Sequence, residues 1–206
     1  MIQNFVNIEQ FISILLIHLF AVVSPGPDFA IVVNQSTKYG RKSGILTSVG
    51  IAFGIIGHIF YCIIGVGFLI SQNIFIFNII KIVGAIYLCY LGVNSFKKTE
   101  TTHIENTVSN YFKNPFFIGL VTNLLNPKAT LFFISLFALV IDINTSIYLQ
   151  IFYGIWMSVI TGLWFCLVSL LISSYYLKIF INKYSVLVDR IMGIILILIS
   201  MKIIFT

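Results

Sequence analysis

Six apolar windows, at roughly 11–33, 44–70, 78–96, 116–141, 146–173 and 186–205, take up nearly the whole chain. A helix rises 1.5 Å per residue, so crossing a hydrocarbon core about 30 Å thick takes about 20 apolar residues. Each window meets that length. Soluble strands are far shorter, and membrane strands alternate apolar and polar side chains rather than staying apolar throughout. The pattern predicts an all-α membrane protein with six transmembrane helices. No stretch is left for a soluble domain, the longest polar segment being the 97–114 connection.

Composition agrees. Only 9% of the residues are charged, against roughly 25% in a soluble domain. A net charge of +6 could attract nucleic acid. The basic residues are dispersed, however, with no basic-aromatic ladder, so the expected partner is a lipid bilayer and not nucleic acid. Lys38, Arg41 and Lys42 lie in the first connection, Lys97, Lys98 and Lys113 in the third, and Lys178 and Lys183 in the fifth. The second and fourth connections carry none. The positive-inside tendency then makes the first, third and fifth connections cytoplasmic and puts both termini outside. Lys202, near the outer end, can snorkel to the interface. The start of the chain has no basic segment and no small-residue cleavage site, so a cleaved signal peptide is not expected.

The first window is interrupted by Ser24-Pro25-Gly26-Pro27-Asp28 and the fourth by Asn126-Pro127-Lys128. Ser and Asn cap helix N-termini, and a proline just after them suits the first helical position, where its missing N–H does no harm. Each proline also frees the carbonyl four residues earlier, near Ala21, Val23 and Asn123. The expectation is two half-helices starting inside the membrane, at Pro25 and Pro127. Asp28 lies ten residues before Lys38 and Asn126 thirteen after Lys113, which at 1.5 Å per residue is about 15 and about 20 Å from the inner edge. Both fall near the midplane. Lys81-Ile82-Val83-Gly84 in the third window also resembles Arg190-Ile191-Met192-Gly193 in the sixth. Two three-helix units, about 1–96 and 115–206 on either side of the 97–114 connection, would be oppositely oriented within one transporter domain. That is the inverted-repeat plan of many secondary transporters, whose substrates bind between the repeats.

An ionisable side chain at the bilayer centre costs at least about 2.5–3.5 kcal/mol on insertion scales, so Asp28 and Lys128 need a reason to be there. Helix N-termini attract carboxylates, Lys128 adds a cation, and Asp28 favours an ammonium group or a proton. A zwitterionic small molecule fits such a site. The bland reading of Lys128 is an ion pair with Asp28 that merely joins the halves. His58 is read first as a packing histidine and second as a proton relay; His18 is weaker still. Asn123, Asn126 and Thr130 share a helical face, as cavity lining or as interhelical bonds. Gly50 and Gly54 predict a close helix contact, and Tyr87 with Tyr90 aromatic packing. Cys62, Cys89 and Cys166 lie apart in apolar runs and read as small buried residues rather than redox or metal groups. No metal, cofactor or catalytic activity is expected. A divalent-cation or other small-metabolite exporter is the alternative, although Lys128 opposes a bare cation. A homodimer is allowed but not dictated.

Ser24-Pro25-Gly26-Pro27-Asp28 closely resembles the first-span signature of the LysE/RhtB amino-acid exporters. Gly50-Ile51-Ala52-Phe53-Gly54 through His58 is similar to the family too. So are Gly84-Ala85-Ile86-Tyr87-Leu88 through Gly92, Asn123-Leu124-Leu125-Asn126-Pro127-Lys128 with Phe132-Phe133, and Arg190 to Gly193. These elements run in family order along essentially the whole chain. The resemblance implies efflux of amino acids or their derivatives, driven by the proton motive force, in a bacterial-type inner membrane. Ser135-Leu136-Phe137-Ala138-Leu139 departs from the family pattern, in which a Pro and a Gln-Phe-like stretch follow the paired phenylalanines.

Overall fold

In a computed structural model the first five apolar windows fold into helices. The structure describes residues 8–24, 26–72, 74–94, 96, 112–139 and 145–172, with 187, 190–191, 193–194, 197–198 and 200–201 towards the C-terminus. The helices are α1 (Ile8–Val23), α2 (Pro27–Tyr39), α3 (Arg41–Gln72), α4 (Ile74–Asn94), α5 (Pro115–Leu124), α6 (Pro127–Leu139) and α7 (Ile147–Leu171). There is no strand among the described residues. Two helices, α3 over Arg41–Gly65 and α7, are 25-residue apolar rods, about 37 Å long and sufficient to cross a bilayer. Pairs α1/α2 and α5/α6 reach that length only together, bent by 49° and 56° at their breaks. Pro25, Lys97, Lys98, Lys178, Lys183 and Lys202 lie outside the described residues, as does most of the sixth window.

The fourth-window break follows the capping rule. Asn126 Oδ1 accepts from the Lys128 backbone N–H at 3.0 Å, ahead of Pro127 at the first helical position. The first-window break corrects the expected start at Pro25. Here α2 begins at Pro27, with Gly26 in extended conformation (φ −167°, ψ −170°) as its cap residue and no side-chain cap. A residue before proline is driven out of the α region by the proline ring. A helix started at Pro25 would need Gly26 to be helical directly before Pro27. The Ser24 hydroxyl lies two residues before that cap and accepts from Lys128 Nζ.

Glycines set the helix contacts. A side chain on Gly50 would strike the Phe116 carbonyl, one on Gly119 the Thr47 carbonyl, and one on Gly54 the Asn123 side chain. From Gly50 against Phe116 to Gly54 against Asn123 and Gly57 against Leu124 the contacts advance together along both helices, so α3 and α5 run parallel in close backbone contact. Helix α7 runs antiparallel to α3, with Ser169 Oγ donating to Arg41 O (3.0 Å) and Ser158 Oγ to Ala52 O (2.7 Å). Tyr87 and Tyr90 of α4 pack ring against ring at 5.9 Å.

Two apolar clusters result. One joins Ile14, Ile55, Ile59, Phe132, Phe133, Phe137, Tyr153 and Met157, from α1, α3, α6 and α7. The other joins Ile31, Val32, Ile51, Ile118, Phe165 and Val168, from α2, α3, α5 and α7. Each half-helix of a bent pair belongs to a different cluster, whereas α3 and α7 run through both. The helix breaks lie at the level between them.

Candidate functional site

At that level the two broken helices meet reciprocally. Asp28, second residue of α2, reaches the other break: its Oδ2 accepts from Asn123 Nδ2 at 2.9 Å and from Asn126 Nδ2 at 3.0 Å. Lys128, second residue of α6, reaches back: its Nζ donates to Ser24 Oγ at 2.9 Å and to Ser24 O at 3.4 Å. The equivalent triplets are thus Gly26-Pro27-Asp28 and Asn126-Pro127-Lys128, shifted by two residues from the Ser24-Pro25 pairing that capping alone suggests. Gly26 lies beneath the Lys128 stem, 3.5 Å from where a β-carbon would sit.

Ser24, Gly26, Asp28, Asn123, Asn126 and Lys128 line one cavity of about 70 Å³, several times the roughly 10–15 Å³ that one water needs. Its apolar wall is made by Phe29, Ile55, Phe132, Phe133 and Phe165. Asp28 Oδ1 is buried and has no hydrogen-bond partner. A carboxylate half-satisfied in this way retains acceptor capacity, and buried polar groups normally find partners. The cavity therefore offers an anionic acceptor from one half of the chain and a cationic donor from the other.

Several sequence-level residues act without lining this space. Pro27 and Pro127 fix where α2 and α6 start. His58 is buried behind the site: its Nε2 lies 3.0 Å from the Asn123 carbonyl, and its ring stacks on Phe133 with centroids 5.6 Å apart. Pro127 has no N–H to offer that carbonyl, and His58 supplies one in its place. A carbonyl only accepts, so Nε2 carries the hydrogen here. Thr130 does not line the cavity beside the asparagines; its Oγ1 bonds back to the Asn126 carbonyl at 3.1 Å.

Sequence reasoning undervalued one residue and passed over another. His18 and Thr161 line the cavity and lie 3.1 Å apart, His18 Nε2 to Thr161 Oγ1. His18 packs among Phe132, Phe133 and Trp156. Its place in an apolar run could have flagged it, since polar groups inside membrane helices usually face the bundle interior.

A family model described as LysE type translocator matches residues 19–206. An uncharacterised membrane protein of Bacillus subtilis is 29% identical over 85% of this chain and 89% of its own length. A threonine efflux protein of Salmonella typhimurium is 32% identical over 65% of this chain and 68% of its own; one of Escherichia coli is 30% identical over similar shares, 65% and 68%. No solved structure matches the chain. The family match covers both helix breaks and every residue of the cavity but His18, which falls just before it, and on that extent the chain belongs to the LysE type translocators.

Proposed function

We propose that this protein exports amino acids or close derivatives across the inner membrane by proton-coupled alternating access. The observation that carries the reading is the meeting of Asp28 and Lys128 in one cavity, each at the start of a half-helix from a different half of the chain. The substrate ammonium, or the coupling proton, goes to Asp28, whose Oδ1 is without a partner. The substrate carboxylate goes to Lys128 and to the positive starts of α2 and α6. Asn123, Asn126 and Ser24 hold the two charges in place. Two relatives bearing the name threonine efflux protein support an amino acid as cargo.

In this scheme the two three-helix units are inverted repeats that rock about the breaks, and both termini face outward. Proton entry drives the uphill export. Lipid covers outer apolar positions such as Ile151, Ile155, Val159 and Leu163; a homodimer would bury part of the same surface.

Asp28→Asn tests this. The amide keeps the shape and removes the charge and the titrating proton. In proteoliposomes loaded with amino acids, pH-gradient-driven flux is expected to fall at least about tenfold, the equivalent of about 1.4 kcal/mol of barrier. Unchanged coupled flux would remove Asp28 from the mechanism.

A further inference from the structure

We propose that a second cavity, at the end of the bundle where α3 and α5 begin, is an oxyanion site for a phosphate or carboxylate group. It has no lining residue in common with the central cavity. Its volume of about 530 Å³ falls among those of small-ligand sites, about 300–1,000 Å³. Gln35, Lys42, Ser43 and Lys113 supply its polar wall, and no carboxylate lines it among the described residues.

Gln35 is the informative member. It is only 1% exposed. Its Oε1 accepts from the Ser43 hydroxyl at 2.8 Å, with Nε2 at the other end of the amide. Nε2 is buried with no partner. A buried amide donor without an acceptor is costly, and such groups in native proteins call for an explanation.

Charge gives the explanation its sign. The parallel packing of α3 and α5 sets their N-termini side by side, so two positive helix poles point the same way. Lys42 lies in the first turn of α3, and Lys113 just precedes the Asn114 cap of α5. Cations are unfavourable at helix N-termini, and here two are added to two positive poles. Donors and positive side-chain charge, with no carboxylate among the described residues of the wall, define a place for an oxyanion. The headgroup phosphate of an acidic lipid and a free anion such as a metabolite carboxylate share that chemistry.

Thermal unfolding of the full chain in non-ionic detergent separates the sources. Three probes serve, each compared at matched ionic strength with a control: inorganic phosphate and acetate against chloride, and phosphatidylglycerol against phosphatidylcholine in mixed micelles. At least one is expected to raise Tm by a few degrees, since a ligand that binds only the folded state stabilises it. Phosphatidylglycerol acting far below the free-anion concentrations identifies a lipid headgroup; free anions alone identify a soluble oxyanion. The exposed pair Lys42→Gln/Lys113→Gln and, separately, Gln35→Met should each lose the rise. No rise with any probe in the unmodified protein overturns the proposal. So does a rise that survives in the lysine pair, and one that survives in Gln35→Met would show diffuse surface charge rather than a built site.

Discussion

Gly54 carries more of the site than its lack of a side chain suggests. A methyl group there would meet Asn123 Oδ1, Cβ and Cγ, all within 3.0 Å. Asn123 would have to withdraw, and its hydrogen bond to Asp28 would go with it. At Gly57, one turn on, a methyl group meets only the far end of Leu124, a side chain 41% exposed and free to move. Gly54→Ala should therefore cost about 1–3 kcal/mol, as overpacking does, and reduce export at least about tenfold. Gly57→Ala should stay near the unmodified protein in both. Thermal unfolding and vesicle flux measured side by side would decide, and equal behaviour of the two variants would refute the distinction. Much at this scale was legible in the sequence: Asp28, Lys128 and Asn126 stand out because charges and proline are expensive in an apolar run. The Ser24–Lys128 and His18–Thr161 contacts were not, because they join residues 104 and 143 positions apart and no local rule reports which helices face each other.

The bent pairs depend on proline chemistry that one substitution can undo. Pro127 cannot donate to the Asn123 carbonyl, which takes its hydrogen bonds from His58 Nε2 and from the Asn126 N–H, each at 3.0 Å. Alanine at 127 restores a donor at the regular helical spacing and is the strongest helix former. The 56° bend would then compete with a straight α5–α6 rod that displaces His58 and swings Asn126 and Lys128 off the cavity. Pro127→Ala is expected to hold or raise thermal stability while export falls at least about tenfold. A variant that transports normally would show that the break does not position the site. The sequence made both breaks visible but misplaced the first helix start by two residues, because the restriction that Pro27 puts on Gly26 outweighs the capping tendency of Ser24.

Across the whole molecule, packing gives the helix directions, and the placement of charge supports the proposed sidedness. Parallel α3 and α5 with antiparallel α7 fit helices that cross alternately, and the first five apolar windows correspond to α1/α2, α3, α4, α5/α6 and α7. Which end faces the cytoplasm is a separate matter, and rests on Lys38, Arg41, Lys42 and Lys113 clustering at one end. Tyr39 and Tyr148 lie at opposite ends, beside Arg41 at the start of α3 and near the start of the antiparallel α7, and are 68% and 81% exposed. A single cysteine at either position, in a chain whose Cys62, Cys89 and Cys166 are replaced by alanine or serine, reports the side directly. The native thiols are buried or half-buried, so their replacement should leave the ends undisturbed. In intact cells a membrane-impermeant thiol reagent should label Tyr148→Cys at once and Tyr39→Cys only after permeabilisation. Should the order reverse, the half-helices would keep their geometry, but the oxyanion cavity beside Lys42 would open outward and the central site would load from the opposite side.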